Sequence, residues 1–582
     1  MLDRRVFSDP NGNEVRWVVG SAWPYIYAVP HLGNLIGSLL SADVFTRYLK
    51  LKGYNVVYVT GSDEHGTPIE VEAIKLGVEP RQLTDRMHEI IVKLLKLWGI
   101  EPDNYTRTES EVHKWYVRDT FTKIYNNGYI FTKDDELPYC PKDKIFLPDR
   151  FVIGTCPYCG YPYARGDQCE NCGKLLEPRM LINPKCAICG STPEWRLTRH
   201  WYLDLRRLED RVRSYIEGNN ALPDNARQMS LGILKEGLRP RAITRDNKWG
   251  IPAPFPGAEG KTIYVWFEAV LGYVSATIEY FRRLGREDEW RKYWFNKGTR
   301  VVFFIGKDNI PFHTIIFPAL LMATGEDYVM PWASSSTEYL IFEGKKFSKS
   351  QRIGIWADEA VALLPADYWR FYLIYNRPEQ RDSNFTWDSF LDVVNSIMND
   401  TVGNFIHRVL TLAKRRWGIV PSGVKMIEQD QEVYSKVLEV LNNVDENYGK
   451  IMLKDALSQS IEIARIGNRY LNERQPWRLG GVEFNSALYM LMSIVKALSV
   501  ALAPVIPFSI NELWRMMGYG NGLRWQDAGK PIEQGLQLSE PRPLFRKISK
   551  EELNVMLKKL DEIRDIKDKG KYPWEQAYLP NP

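Results

Sequence analysis

The chain has 582 residues, with 77 Lys and Arg against 72 Asp and Glu, which gives a formal net charge of +5. Its content of 44% hydrophobic and 26% charged residues excludes a disordered or fibrous protein. The length fits about three or four globular domains. The small charge excess neither requires nor excludes nucleic acid, because such binding depends on local clusters of basic residues.

Neither the start of the chain nor its most apolar stretch predicts a membrane protein. The first five residues, MLDRR, are not followed by the apolar core of a signal sequence, so we expect a cytoplasmic protein. The longest apolar stretch, residues 488–508, contains Lys496, Pro504 and Pro507. These residues favour a buried helix over a membrane span, and we expect no membrane partner.

Alternating strand and helix patterns in the first half of the chain predict an α/β fold. The predicted elements are strand 15–20, helix 34–52, strand 55–60, strand 261–266 leading into a helix that ends at 283, strand 300–305 and helix 311–324. Gly53 and Gly325 end two of these helices. The pattern indicates a doubly wound parallel sheet of the Rossmann-like type, whose ligands bind beyond the carboxyl ends of the strands.

A segment rich in cysteine and proline interrupts this pattern, and helices replace strands after residue 388. The helical patterns cover residues 393–416, 455–472, 486–502 and 551–567. The predicted domains are a catalytic domain in two halves (1–125 and 242–330), an inserted connective domain (126–241), a linker domain (331–387), an α-helical bundle (388–545) and a C-terminal helix and tail (546–582).

The motif His31-Leu32-Gly33-Asn34 lies where the first strand gives way to the first helix. A helix N-terminus offers unpaired N–H groups and partial positive charge, which suit a phosphate. Gly33 would let a nucleotide approach the backbone closely. Taken alone, the motif also fits an ordinary capped helix with a core histidine.

The motif Lys346-Phe347-Ser348-Lys349-Ser350 follows the β-like run 339–342. Two lysines three residues apart, with hydroxyl groups beside them, can surround a polyphosphate on which charge develops. Taken alone, the pentapeptide equally fits a solvated basic turn.

All seven cysteines lie between positions 140 and 189, and such clustering favours metal binding over disulfides. Two CxxCG pairs separated by nine residues predict a tetrahedral structural zinc site. The ligands of this first site are Cys156, Cys159, Cys169 and Cys172. Because a carboxylate can also bind zinc, a second site stays open. Its ligands would be Cys140, Asp143, Cys186 and Cys189.

The two phosphate motifs, in this order on one sheet, resemble the HIGH and KMSKS signatures of class I aminoacyl-tRNA synthetases. Within that class, residues 15–582 resemble methionyl-tRNA synthetases of the archaeal and eukaryotic type. Further family blocks occur in order: AWPY, GSDEHGTP, the cysteine half-knuckles, ITRDNKWGIP, YVWFEA, GKDNIPFH, KFSKS, GNFIHR and QPW. The resemblance implies a methionine–tRNA ligase that forms methionyl-adenylate from ATP and charges tRNA(Met), with Mg²⁺ and Zn²⁺ as metals.

The resemblance also implies a role for individual residues. The implied ATP-binding residues are His31, Gly33, Asn34, Asp308, Lys346, Ser348 and Lys349, with His31, Asn34, Lys346 and Lys349 as the catalytic ones. The implied methionine-binding residues are Ala22, Trp23, Tyr25, Asp63, Arg245, Trp266, Ala269, Tyr273, Asn309 and His313. The implied anticodon-reading residues are Asn404, Arg408, Pro476 and Trp477. Without the resemblance, the aromatic residues among them would be interpreted as core residues. The polar residues of the bundle would be interpreted as a solvated helix face.

The sequence leaves open the shape of the methionine pocket, two alternative functions and one partner. The family often has Leu where Trp23 stands and Pro where Val270 stands, which leaves the shape of the methionine pocket undetermined. Another class I synthetase, for Leu, Val, Ile or Cys, is one alternative. A zinc-containing RNA-binding protein without catalytic activity is another. No tRNA-binding domain follows the bundle, so a separate tRNA-binding subunit stays open as a partner of an expected monomer.

Overall fold

The computed structural model describes residues 15–148, 151–166, 169, 171–172, 176–349, 351–520, 522–571 and 575. Residues 1–5, the glycine of the second CxxCG pair (Gly173) and Ser350 lie outside this set.

A parallel five-stranded sheet forms the centre of the N-terminal half and confirms the predicted fold class. Its strands, in spatial order, are Ala333–Thr337, Thr299–Gly306, Arg16–Ser21, Asn55–Ser62 and Asn104–Arg107. Arg16 lies opposite Thr299 on one side and Asn55 on the other. The strand order reverses between Arg16–Ser21 and Thr299–Gly306, and such a switch point is where an open α/β sheet holds its ligand.

Helices cover both faces of this sheet. The first begins at Leu32 and runs through a π-helical segment, Leu35–Leu39, into the helix Leu40–Leu51. The others are Thr67–Leu76, Pro80–Trp98, Glu111–Asn126, Val265–Ala269, Gly272–Arg283, Arg291–Trp294 and Phe317–Ala323, the last preceded by a π-helical segment, Phe312–Ile316. The predicted strand 261–266 is too long: only Thr262–Ile263 forms a strand, and it pairs antiparallel with Thr244–Arg245. The Tyr264 carbonyl accepts from the N–H groups of Phe267 and Glu268, which starts a helix instead.

The segment after residue 126 forms two small antiparallel sheets. One contains Ile130–Cys140, Ile145–Phe146, Glu194–Leu203 and Arg241–Ala242, and the other Val152–Thr155, Ala164–Arg165 and Ile182–Cys186. The helices Glu209–Gly218 and Asp224–Glu236 then return the chain to the central sheet. Around the cysteines the core is small and contains few large apolar side chains. Such a core gains little from apolar burial, so a bound metal would contribute much of its stability.

The C-terminal half is helical. The strands Leu340–Phe342 and Ser383–Phe385 pair, and the helices Ala357–Leu363 and Ala366–Tyr375 lie between them. The bundle contains Trp387–Asp392, the π-helical Val393–Gly403, Asn404–Arg416, Glu428–Gly449, Leu453–Arg474, Gly481–Leu502, Pro507–Met516 and Lys550–Lys569. Helices are thus present at all four predicted helical stretches. By length and composition Gly481–Leu502 could cross a membrane, but 89% of its most apolar window is buried inside the protein, as in a core helix.

Arg370 joins the bundle to the catalytic half. Its guanidinium is fully buried and forms an ion pair with Asp43, at 2.7 Å, on the first sheet helix. It also donates to the carbonyl oxygens of Trp98, Pro504 and Val505 at 2.9, 3.0 and 2.7 Å. Because a buried cation is stable only with such partners, each half of the chain completes the environment of this residue.

Candidate active site

A cleft of about 460 Å³ lies at the switch point of the sheet. Its wall contains ten predicted residues: Ala22, Trp23, Tyr25, His31, Gly33, Asn34, Trp266, Asp308, Asn309 and Lys346. The predicted residues outside its wall are Asp63, Arg245, Ala269, Tyr273, His313, Ser348 and Lys349. The volume lies within the range of ordinary small-molecule sites.

His31 caps the first helix and at the same time faces the cleft. Its Nδ1 accepts from the Asn34 backbone N–H at 3.3 Å, and the Asn34 side-chain oxygen accepts from the His31 N–H at 3.1 Å. Burial lowers the pKa of His31 to about 4, so the ring is neutral at pH 7. With Nδ1 as acceptor, the proton lies on Nε2. The start of the helix therefore carries two side-chain N–H donors, the Nε2–H of His31 and the amide of Asn34.

The two phosphate motifs meet through a ring contact. The His31 imidazole stacks on the Phe347 ring with centroids 4.2 Å apart and planes at 11°. Sequence reasoning assigned no role to Phe347, and its place between two lysines gave no signal of this contact. The stack holds the KFSKS loop over the N-terminus of the first sheet helix.

The two lysines of the KFSKS loop face different cavities. Lys346 lines the cleft, whereas Lys349 lines a smaller cavity, of about 80 Å³, beside the C-terminal helix Lys550–Lys569. Between them, the N–H of Ser348 donates to the carbonyl of Ile353 at 2.9 Å, and the reciprocal bond has the same length. The loop is thus a short hairpin with one lysine on the cleft and one away from it.

Ion pairs join the loop to the C-terminal helix beside that smaller cavity. Arg352 pairs with Asp565 at 2.9 Å and with Asp568. Arg564 donates to the carbonyls of Arg352, at 3.1 Å, and of Gly354. The last helix of the chain therefore restrains the part of the loop that follows Lys349.

Asp308 lies at the opposite rim of the cleft, just after the strand Thr299–Gly306. Its carboxylate accepts from the hydroxyl of Tyr339, a residue that sequence reasoning did not single out. The neighbouring Lys307 pairs with Glu338 at 2.7 Å. Asp308 is exposed, so its carboxylate can accept further hydrogen bonds.

Asp63 is buried beside the cleft at the end of the strand Asn55–Ser62. Only 4% of the residue is exposed, and its Oδ1 has no hydrogen-bond partner among the described residues. Its backbone pairs with the Tyr25 segment: the Asp63 N–H donates to the Pro24 carbonyl at 2.9 Å. Burial, and next to it the charge of Glu268, raises the pKa of Asp63 well above its ordinary value. A cationic ligand would remove this penalty.

A charged network that sequence reasoning missed lies next to Asp63. The His65 Nδ1 is 2.6 Å from the Glu268 carboxylate, and its Nε2 is 2.7 Å from that of Glu109. The GSDEHGTP block contains His65 and the YVWFEA block contains Glu268, but a separation of 203 residues hides their contact in the sequence. Only the pairing of acidic and basic residue types in two family blocks could have suggested it.

Two glycines make room for the side chain of Trp23. A Cβ atom on Gly61 would lie 2.8 Å from the Trp23 ring, and one on Gly272 would lie 2.5 Å from it. The ring also contacts His113 and Tyr273, with centroids 5.8 and 6.5 Å away. Trp23 therefore fits because the backbone on both sides carries no side chain.

Behind Trp23 lies a hydrogen-bonded pair of predicted pocket residues. His313 Nδ1 is 2.9 Å from the Asn309 carbonyl, so this nitrogen carries the proton. Its Nε2 then accepts from the Tyr273 hydroxyl at 2.8 Å. Burial lowers the pKa of His313 to about 4, so the ring is neutral. The pair offers a polar but uncharged surface within an aromatic wall.

The remaining predicted methionine-binding residues differ in their exposure to solvent. Trp266 is 41% exposed and stacks on Phe312 with centroids 4.9 Å apart, and Ala269 is half-buried on the same helix. The Arg245 guanidinium lies 3.8 Å from the centroid of the Tyr264 ring. It donates to the carbonyls of Ala242 and Thr244 at 3.0 and 2.8 Å.

Both predicted metal sites assemble. In each, the four ligand atoms lie within 4.8 Å of one another: Cys156, Cys159, Cys169 and Cys172 in the first, and Cys140, Asp143, Cys186 and Cys189 in the second. In the first, two of the sulfur–sulfur distances are 3.9 and 3.6 Å. Tetrahedral zinc with bonds of about 2.3 Å separates its sulfurs by about 3.8 Å, so the donor set fits.

In the second site, a carboxylate takes the place of a fourth sulfur. The Asp143 Oδ2 lies 3.0 Å from the Cys140 sulfur and 3.3 Å from that of Cys186. The Ser191 hydroxyl lies 3.1 Å from Cys140 and 3.0 Å from Cys189. Three sulfurs and one carboxylate oxygen at these distances form a donor set that suits zinc.

The predicted anticodon residues Asn404 and Arg408 contact side chains of the bundle. Arg408 donates to the Asn472 side chain at 3.4 Å, and Asn404 donates to Asp400 at 3.1 Å. Trp477 follows the helix that carries Asn472 and is 49% exposed, although the Pro476 beside it is buried. The indole is therefore not a core side chain, and its exposed surface can contact a ligand.

Comparison with known proteins decides which family these features belong to. Residues 17–410 match the model of class I tRNA synthetases (M), and residues 420–565 match the anticodon binding domain of methionyl tRNA ligase. The chain belongs to the class I methionyl-tRNA synthetases. It is 93% identical to the methionine–tRNA ligase of Caldivirga maquilingensis over the full length of both, and 60% identical to that of Pyrobaculum arsenaticum over 97% of this chain and 100% of the relative.

Solved structures of the family share the fold at low sequence identity. The methionyl-tRNA synthetase of Mycobacterium tuberculosis in complex with methionyl-adenylate is 22% identical, with a TM-score of 0.75. The match covers 92% of this chain and 100% of that one. The architecture thus extends over nearly the whole chain.

Proposed function

We propose that the chain is a methionine–tRNA ligase, which activates L-methionine with ATP and transfers it to the 3′ end of tRNA(Met). The stack of His31 on Phe347 is the observation that carries this proposal. It unites, at one cleft, two phosphate-binding motifs that are 316 residues apart in sequence. The full-length identity to methionine–tRNA ligases supports the same substrates.

In the first step, the methionine carboxylate attacks the α-phosphate, and pyrophosphate leaves. The His31 Nε2–H, the Asn34 amide and the N-terminus of the first sheet helix would hold the phosphates, while Asp308 accepts from the ribose hydroxyls. Lys346 and Lys349 would neutralise the charge that develops on the leaving pyrophosphate, together with Mg²⁺ bound by ATP. The protein supplies orientation and charge, and no side chain acts as a nucleophile.

For methionine, we assign Asp63 to the ammonium group, aided by Arg245. Trp23, Tyr25, Trp266, Ala269 and Tyr273, with Ala22, Asn309 and His313, would form the pocket of the side chain. A thioether is polarisable and a weak acceptor, so aromatic rings and the neutral Tyr273–His313 pair suit it.

In the second step, tRNA(Met) would contact the bundle through its anticodon. Asn404, Arg408 and Pro476-Trp477 would read the anticodon bases, because single-stranded RNA is recognised by stacking and by hydrogen bonds to base edges. We also propose Zn²⁺ at both cysteine sites, as structural ions remote from the cleft. A monomeric cytoplasmic enzyme, assisted or not by a separate tRNA-binding subunit, is consistent with these assignments.

The test is methionine-dependent exchange of pyrophosphate into ATP, followed by aminoacylation of tRNA(Met). We expect both activities, and Trp477→Ala should weaken aminoacylation by about 5- to 150-fold while exchange stays nearly unchanged, since stacking on one base contributes about 1–3 kcal/mol. Trp115→Ala is a matched control, because Trp115 is 48% exposed and lies on a helix of the catalytic half. An absence of exchange would refute the ligase and favour a non-catalytic RNA-binding protein.

A further inference from the structure

His65 lies between two carboxylates, two positions after Asp63. The ring is 1% exposed, with Glu268 at 2.6 Å from Nδ1 and Glu109 at 2.7 Å from Nε2. The Tyr25 hydroxyl also donates to the His65 carbonyl, which ties its backbone to the wall of the cleft. The side chain and the backbone of His65 are therefore both fixed.

The contacts of His65 determine its charge. An ionised carboxylate can only accept hydrogen bonds, so a ring paired with carboxylates at both nitrogens donates from both and is an imidazolium. Although burial opposes a charge there, the charge of Glu268 and the bonds to both glutamates raise the pKa of His65 to about 10. His65 is therefore a buried cation at neutral pH.

The ion pairs around this cation leave one carboxylate without a partner of its own. Glu64 pairs with Arg107 at 2.8 Å, and Glu109 pairs with Arg81 and Lys114, each at 3.0 Å. Asp63 forms no ion pair among the described residues, and its Oδ1 lacks any hydrogen-bond partner there.

Glu268 and Asp63 therefore depend on the same cation. Glu268 pairs with His65, and its Oε2 also lacks a hydrogen-bond partner among the described residues. Glu268 opposes the ionisation of Asp63, whereas the imidazolium and the backbone N–H of His65 favour it.

We propose that His65 is a positioning residue for the substrate's ammonium group: held between Glu268 and Glu109, its imidazolium lets Asp63 ionise beside Glu268 when the ammonium group binds. Glu268 and Glu109 hold the imidazolium, and the imidazolium offsets the negative charge that Glu268 brings close to Asp63. The inference rests on the proposed function, because it assigns Asp63 to methionine. It adds His65, which acts through Asp63 without touching the substrate, and Glu268, which holds His65.

Several other titratable groups lie around His65 or its charged neighbours and enter any pH dependence. The acidic groups are Asp63, Glu64, Glu109 and Glu268, and the basic groups are Arg81, Arg107 and Lys114. Tyr25 and His113 are the other titratable side chains. Among them, His113 is a buried neutral histidine, because burial lowers its pKa to about 3.

The experiment measures the KM for methionine and the kcat of pyrophosphate exchange for His65→Gln between about pH 6.5 and pH 8.5. Glutamine can still donate a hydrogen bond but carries no charge, so Asp63 should ionise only at higher pH. We expect a methionine KM raised about tenfold or more at pH 6.5 that falls back as the pH rises, since each unit of pKa changes the ionised fraction about tenfold. The KM for ATP should change little.

Two further variants separate charge from packing. His65→Gln combined with Glu268→Gln removes one charge of each sign and should restore most of the methionine affinity at pH 6.5. His113→Gln alters packing against Trp23 without altering charge, so any effect on the methionine KM should be the same at every pH.

The inference is overturned if His65→Gln raises the methionine KM equally at all pH values, or if the double variant is no better than the single one. If His65→Gln does not fold, Glu268→Gln alone carries the test. It should lower the pH at which methionine binding weakens on acidification, and an unchanged profile would refute the pair. A wild-type chain without methionine-dependent exchange would instead refute the proposed function.

Discussion

The two ends of the cleft are built in opposite ways. At the methionine end, Asp63, Tyr273 and His313 are almost fully buried, and a hydrogen bond joins Tyr273 to His313. At the polyphosphate end, Lys346 and Lys349 are exposed and face different cavities. An amino-acid pocket gains selectivity from rigid walls, whereas groups that meet charge only in the transition state can be brought in late. We infer that the KFSKS loop has to move if Lys349 is to reach the cleft, whereas the methionine pocket does not have to move.

The largest effect is expected at the rigid end, for Asp63→Asn. The amide has the same shape but no charge, so a bound ammonium group would lose its counter-ion in a buried place. A loss of about 3–5 kcal/mol corresponds to about 10²–10⁴ in kcat/KM for methionine in pyrophosphate exchange. Thermal unfolding should show no loss of stability, because burial of Asp63 disfavours its charge. An unchanged methionine KM would remove Asp63 from the site.

A smaller effect is expected at the open end, for Lys349→Ala. If this lysine meets charge that appears mainly in the transition state, kcat for exchange should fall by about 10²–10³ while the methionine KM stays constant. Lys349→Arg should recover part of the rate, since a planar guanidinium differs from an ammonium point charge. A raised methionine KM with unchanged kcat would mean that Lys349 contributes to substrate binding, as the methionine end does, and not to the transition state.

The smallest effect is expected for Arg352→Ala, which removes the ion pairs between the KFSKS loop and the C-terminal helix but leaves the bonds from Arg564 to the loop backbone. The ion pairs with Asp565 and Asp568 are partly exposed and are worth about 0–1 kcal/mol, so kcat should rise by no more than about fivefold. High salt should produce the same change in the wild-type chain, because it screens exposed charges. A fall in kcat would show that the contact supports the active position of the loop.

The sequence predicted those strands and helices whose pattern of apolar residues matches their burial in the folded protein. The strands 15–20 and 300–305 are apolar because both faces are covered, and the bundle helices keep a regular apolar spacing. The edge strand Ala333–Thr337 was not predicted because its small polar residues are buried through pairing, which the sequence does not show.

The same limit applies to the candidate site. The HLGN and KFSKS motifs can be recognised by their residue types and spacing. The residue types and spacing of the cysteine clusters likewise indicate which side chains come together. The clamp of His65 by Glu109 and Glu268 joins three distant segments, and the fit of Trp23 depends on Gly61 and Gly272. No local pattern encodes such contacts, because they arise only when the sheet and its helices have packed.

Arg370 also bears on whether the molecule can be divided. Two of its carbonyl partners, at Pro504 and Val505, belong to the bundle, and its ion-pair partner Asp43 belongs to the first sheet helix. If the bundle separated, a buried guanidinium would lose acceptors that water could replace only by entering the core. The domain names therefore describe sequence segments rather than modules, and heat should unfold the catalytic and helical halves in one cooperative transition.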